Sequence, residues 1–230
     1  MARAGITPAL RTASSARFEG RTLAQIAGTV AARHGFTVVD APAAHSLILR
    51  RVTQRDETDL HFLHRLANAY NYDFSLRGTQ LIFYPRGALE AAPVVLTLGR
   101  GDLTSFAFKG RTGNIYQAAQ VSYQDAQTKA LITQTATAPQ GLTGDTLNVA
   151  RRAESPTDAL AQATAALHLH NMLQATMRVT MPGSPTVVAG NNIALRDFGQ
   201  HDGVYLITAA RHRLERSTGY TTEAEGRKLF

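Results

Sequence analysis

His61 and His64 stand three residues apart, a spacing that on a helix can turn two imidazoles toward one cation, with Asp56 or Asp59 near enough in sequence to complete the set. Two histidines alone do not make a metal site, and exposed helix histidines account for the same spacing. His168 and His170, two apart, diverge on a helix and share a face only on a strand. His201-Asp202 with Ser184 or Ser217 has the residue types of a serine hydrolase, but neither serine sits in a G-x-S-x-G elbow. Asp56, Glu57 and Asp59 crowd one helix start, where the dipole favours the ionised carboxylate over the protonated form that a general acid requires. Gly99-Arg100-Gly101-Asp102 breaks the pattern of a phosphate loop after its second glycine and reads as a β-turn. The chain contains no cysteine, so disulfides, thiolate catalysis and Cys-ligated zinc or iron–sulfur centres are excluded. No catalytic, cofactor-binding or metal-ligating residue is assigned from these patterns.

Composition narrows the class further. The 230 residues are 44% hydrophobic, enough for a sizeable core in one large or two small domains. No apolar run approaches the roughly 20 residues that span a bilayer, so membrane insertion is not expected. The first twenty residues lack the continuous apolar core of a secretory signal, which points to synthesis and assembly in the cytoplasm. The formal charge of +7 raises the question of nucleic acid. The cations are nevertheless scattered, with short groups at Arg50-Arg51, at Arg151-Arg152, and at Arg211, Arg213 and Arg216, and there is no tryptophan. A basic face toward an acidic protein ring, or simple solubility, explains the charge more directly.

The elements that would carry these residues are clearest between Val52 and Pro85. Asp56 is the expected helix cap, Leu60, Leu63, Leu66, Ala67 and Tyr70 form one apolar stripe, and a hairpin follows: Tyr72, Phe74 and Leu76, a turn at Arg77-Gly78-Thr79, then Leu81 to Tyr84. Upstream, Thr22 to Gln25 has capping-box spacing, and Leu23, Ile26, Ala27 and Val30 share a face. Gly35 stands where a left-handed cap belongs. A short strand at Phe36 to Val39, a loop at Ala41 to His45 and an apolar stretch at Leu47 to Val52 complete a compact α/β insert over residues 21–87. Residues 1–20 read as an extended segment. From 88 to 230 the apolar period shortens to two, predicting antiparallel strands at Val94 to Leu98, Leu103 to Phe108, Ile115 to Tyr123, Ala130 to Thr135, Thr176 to Met181, Val187 to Leu195, Gly203 to Arg211 and Gly219 to Glu225. Ser155-Pro156-Thr157-Asp158 opens a helix over about 156–173, with Ala159, Leu160, Ala163, Ala166 and Leu167 continuing it. Thr135 to Asn148 is expected to be a mobile loop, and Gly190-Asn191-Asn192 a turn.

Gln54-Arg55-Asp56-Glu57-Thr58-Asp59-Leu60-His61-Phe62-Leu63-His64-Arg65-Leu66-Ala67, followed by Tyr72-Asp73-Phe74 and Leu81-Ile82-Phe83-Tyr84-Pro85, resembles the phage late control protein D family. These are baseplate hub proteins of phage tails, similar to the base of the spike proteins in type VI secretion. Arg21 to Ala27, Arg111-Thr112-Gly113 and Val121 to Asp125 extend the resemblance. It implies an α+β fold, with antiparallel β barrel-like tube domains and the small α/β insert, residues 1–20 being a remnant of the first tube domain. It also implies a non-enzymatic virion component at the tail baseplate or tip: a homotrimer whose paired barrel-like domains form a pseudo-sixfold ring between the hexameric tail tube and the trimeric central spike. The tape measure protein is a further candidate neighbour, and DNA is met only in transit.

Most of the first barrel-like domain of that family lies outside the matched length, which implies either a truncated chain or a separate polypeptide supplying those strands. Two other classes remain open at this stage: a peptidoglycan-binding or peptidoglycan-cleaving tail-tip module, and a nucleic-acid-handling protein of the tail channel.

Overall fold

The computed structural model describes residues 8–39, 47–125, 128–138, 143–217 and 219–230. After a 3₁₀ turn at Pro8–Arg11, the chain runs β1 (Ala13–Thr22), α1 (Leu23–Arg33), β2 (Thr37–Val39), β3 (Ile48–Thr58), α2 (Asp59–Tyr70), β4 (Tyr72–Arg77), β5 (Gln80–Pro85) and α3 (Arg86–Glu90). It continues with β6 (Val94–Leu98), β7 (Ser105–Gly110), β8 (Tyr116–Gln124), β9 (Leu131–Thr137), β10 (Asp145–Asn148), α4 (Pro156–Asn171), β11 (Ala175–Pro182), β12 (Asn192–Leu195), β13 (Gly203–Glu215) and β14 (Gly219–Lys228). The fold is mixed α+β, and it divides into two compact units: residues 1–88 with 116–169, and residues 89–115 with 170–230.

In the first unit, β1 pairs antiparallel with β3, and β2-β5-β4 form a three-stranded sheet. Helix α1 begins as its sequence requires: the Thr22 hydroxyl accepts from the Gln25 amide while the Gln25 side chain accepts from the Thr22 amide. Gly35 follows the helix at φ +69°, a left-handed position that costs a glycine little. The cap of α2 is Thr58, whose hydroxyl accepts from the His61 amide at 3.1 Å, and not Asp56. Asp56 instead sits where the β1–β3 register shifts, at φ +47°, with its amide donating to the Ser15 hydroxyl. The buried face of α2 comprises Phe62, Leu63, Leu66 and Ala67. Phe62 takes the place expected of Leu60, which is only partly buried, and stacks on Phe18 with centroids 5.6 Å apart. Burying such a ring contributes about 1.5–3 kcal/mol. The β4–β5 hairpin turns at Gly78, φ +59°, with Leu81 and Phe83 fully buried between half-exposed neighbours.

The same unit holds the three-stranded sheet β10-β8-β9, on which α4 packs Ala159, Ala163 and Leu167 against Ala119, Val121 and Tyr123. Its alanine face permits close approach, while Leu160 points outward. Ser155 caps α4, its hydroxyl accepting from the Asp158 amide at 3.1 Å. Two expectations change here. Asp145 to Asn148, read as part of a mobile loop, form a strand parallel to β8, and Thr135 to Thr137 belong to β9. The predicted loop at Ala41 to His45 lies outside the described residues.

The second unit is one six-stranded sheet in the order β6-β12-β13-β14-β11-β7, curled into a half-barrel. It is not wholly antiparallel, because β6 runs parallel to β12. Its core is formed by Met177, Val179, Met181, Ile193, Leu195, Tyr205 and Ile207, with Leu98 and Val187. The strand predicted over Val187 to Leu195 is confined to its last four residues. Asn192, expected in a turn, opens that strand fully buried and donates to the carbonyls of Leu89, Glu90 and Ala92 at 2.8–3.1 Å. Those contacts fix the approach to β6. Arg227, buried to 5% exposure, forms an ion pair with Glu90.

Candidate assembly surfaces and a basic cleft

Among the described residues, the curled sheet leaves three stretches of backbone ladder open. β6 pairs only with β12, β7 only with β11, and β13 from Ala209 to Glu215 only with β14. Exposed apolar side chains accompany each stretch: Val94 and Val95 on β6, Phe106 on β7 and Leu214, 83% exposed, near the end of the β13–β14 hairpin. Open strand edges flanked by apolar side chains are templates for pairing with another chain.

The hairpin end is held from beneath. Gly183 lies so close under Tyr220 that a Cβ at this position would meet the ring at 1.8 Å, and the Gly183 amide donates to the Tyr220 carbonyl at 2.8 Å. His212 Nδ1 is 3.0 Å from the Thr222 hydroxyl and 3.1 Å from that of Tyr220.

The first unit carries a cleft of about 420 Å³ where β1, β3, α2 and the start of α4 converge. Arg17, Arg51, Arg65, Arg151 and Arg152 line it, with Val52, Leu66 and Ala69 as apolar wall. At its base the Tyr70 hydroxyl donates to Asp158 at 2.8 Å, and the same carboxylate accepts from Gln162 and from the Glu154 amide, each at 3.0 Å. Burial, and then the adjacent Asp158 charge, push the Tyr70 hydroxyl above its ordinary range and keep it protonated. These arginines are spread over 135 positions of sequence, from 17 to 152. Only the doublets at Arg50-Arg51 and Arg151-Arg152 hinted at the grouping.

The residues singled out by chemistry find separate partners. His61 bonds Glu57 at 2.9 Å and His64 bonds Asn68 at 3.1 Å, while Asp59 faces His34 and Gln54. No cluster of three or more metal-ligating side chains occurs among the described residues. The His201 ring stacks on Phe108 at 4.3 Å, Asp202 accepts from the Phe198 amide, and Ser184 bonds Thr186. Tyr205 donates to the His201 carbonyl, and burial together with the Asp202 charge push its hydroxyl up to about 12. Gly99 to Asp102 close into a 3₁₀ turn, with the Asp102 carboxylate accepting from the Gly99 amide at 2.8 Å. His168 and His170 both lie on α4.

The fold, a curled half-barrel sheet in one unit and α/β packing in the other, is that of solved phage tail proteins. The chain is similar in fold to a tail protein from Neisseria meningitidis MC58, at 18% identity and a TM-score of 0.70 over 95% of this chain and 70% of that one. It is also similar to the 43 kDa tail protein of prophage MuSo2 from Shewanella oneidensis, at 14% identity and a TM-score of 0.71 over the same shares. The prophage tail protein gp18 from Listeria monocytogenes EGD-e matches at 13% identity and a TM-score of 0.57, over 96% of this chain and 68% of that one. No curated protein matches the sequence. The family model for the phage tail baseplate hub (GPD) matches residues 3–218, and the chain belongs to that family. It is therefore a structural protein of the virion tail. No helix among the described residues is long and apolar enough to cross a membrane.

Proposed function

We propose that this hub protein joins the hexameric tail tube to the trimeric central spike as a homotrimer, without turning over a substrate. The observation that carries this reading is the open curled sheet: neither β6 nor β7 has a second strand partner among the described residues. A half-barrel of this kind pairs its edges with neighbours, and repetition around an axis gives a closed wall. Val95 and Phe106 add apolar area at the same edges. DNA meets the ring only in transit, the tape measure protein is a further neighbour, and assembly takes place in the host cytoplasm before the hub joins the tail tip.

The test is the native mass of the chain expressed with its cognate tube and spike proteins. Three copies held together, or co-purification with either partner, is expected. A monomer that ignores both would overturn the proposal.

A further inference from the structure

We propose that the arginine-lined cleft of the first unit binds a compact phosphorylated anion, of the size of a diphosphate or a phosphorylated sugar headgroup. The basis is charge, size and donor chemistry. Arg17 and Arg51 share a single carboxylate, Glu19, at 3.8 and 3.4 Å. Arg151 donates to a neutral acceptor, the Asn68 carbonyl, at 3.5 Å. Arg65 and Arg152 are matched one to one by Glu57 and Glu154. Among the described residues, the five arginines therefore exceed their paired carboxylates Glu19, Glu57 and Glu154 by two positive charges. Asp158, a fourth carboxylate at the cleft, brings that excess down to one, and its oxygens accept from Tyr70, Gln162 and the Glu154 amide.

All five cations are arginines, whose planar forks match phosphate oxygens two at a time. The volume of about 420 Å³ fits a ligand of small-molecule size, within the usual range of about 300–1,000 Å³. Among the described residues Tyr70 is the one aromatic ring lining the cleft, and it is committed to Asp158, so these residues offer the bases of a nucleic-acid strand no stacking platform. The chemistry favours a compact anion over an extended polymer. The phosphate could come from a lipid headgroup or from a soluble nucleotide-like molecule, and the cleft would recognise either through the same groups.

The probe is inorganic pyrophosphate, titrated calorimetrically into the intact chain at low salt. Saturable 1:1 binding is expected, weakened at least tenfold in the Arg51→Gln/Arg151→Gln double variant and unchanged in Arg178→Gln, which alters the six-stranded sheet instead. Both substitutions of the double variant are at exposed positions, and an unaltered thermal midpoint verifies its fold. Competition by lipid A vesicles, but not by phosphatidylcholine vesicles, assigns a lipid source; competition by a nucleoside diphosphate alone assigns a soluble one. Absence of saturable pyrophosphate binding, equal affinity in the double variant, or binding only to a DNA oligonucleotide would each overturn the proposal. The inference does not depend on the tube-and-spike reading, since native mass tests that reading without reference to the cleft.

Discussion

His34 Nε2 lies 2.7 Å from Asp59 Oδ2, and the two side chains are only 7% and 6% exposed. Gln54 donates to the other carboxylate oxygen at 2.7 Å, and Arg33 reaches it at 3.3 Å. One carboxylate thus ties the end of α1 and the middle of β3 to the first residue of α2. Removing it leaves several donors without their acceptor in a nearly dry site. Asp59→Ala is expected to lower the free energy of unfolding by about 3 kcal/mol. Urea denaturation measures this directly, and a loss within about 0.5 kcal/mol would show that the network contributes nothing net.

Glu57 gives the same region an acid-sensitive element. Partial burial pushes its carboxyl up, but the hydrogen bond and charge of Arg65, reinforced by those of His61, outweigh burial and hold it below 4.5. A carboxyl depressed on folding stabilises the folded state above its unfolded value, and that contribution disappears as pH falls through the lower folded value. Stability should therefore drop as pH falls below about 4.5. Glu57→Gln should show a shallower decline over the same range in pH-dependent thermal unfolding. An identical pH profile would remove Glu57 from the account.

Two glycine substitutions should act with opposite sign. A Cβ at Gly226 would lie 3.0 Å from the Leu206 carbonyl oxygen and 2.8 Å from Met177, and Gly226→Ala should destabilise by about 1–3 kcal/mol. At Gly28, inside α1, a Cβ meets nothing within 4 Å, and Gly28→Ala should stabilise by about 0.5–1 kcal/mol. Chemical denaturation of both variants distinguishes a close approach from ordinary helix propensity.

Local rules made much of this architecture legible. Thr22 with Gln25, Ser155 before Pro156, and the alternating hairpin around Gly78 each act within a few residues, and each stands in the structure as its neighbours dictate. What escaped was set from a distance. Asp56 lost the cap because a bulge against β1, some forty residues earlier, gives it a left-handed backbone. Asp145 to Asn148 became a strand because β8 offers a parallel edge. The antiparallel pattern also hid the parallel partnership of β6 and β12, since a period of two does not reveal strand direction. Arg17, Arg51, Arg65 and Arg151 looked scattered because only tertiary structure gathers them at one cleft.

The exposed apolar residues of the half-barrel separate assembly from stability. Val95→Lys and Leu214→Glu change side chains that are 41% and 83% exposed, so each should shift the unfolding free energy by no more than about 0.5 kcal/mol. A lysine on an open strand edge discourages edge-to-edge pairing. Both variants are expected to fold normally yet co-purify poorly with tube and spike proteins. Undiminished co-purification would place the contacts elsewhere.

The central claim is that this hub closes a wall around the tail axis between tube and spike. Electron cryomicroscopy of the intact particle, with the chain fitted into the baseplate density, tests it most directly. Three copies around the axis, with β6 and β7 paired to neighbouring strands, is the predicted result. Density that places the chain at the periphery, with both edges facing solvent, would contradict it.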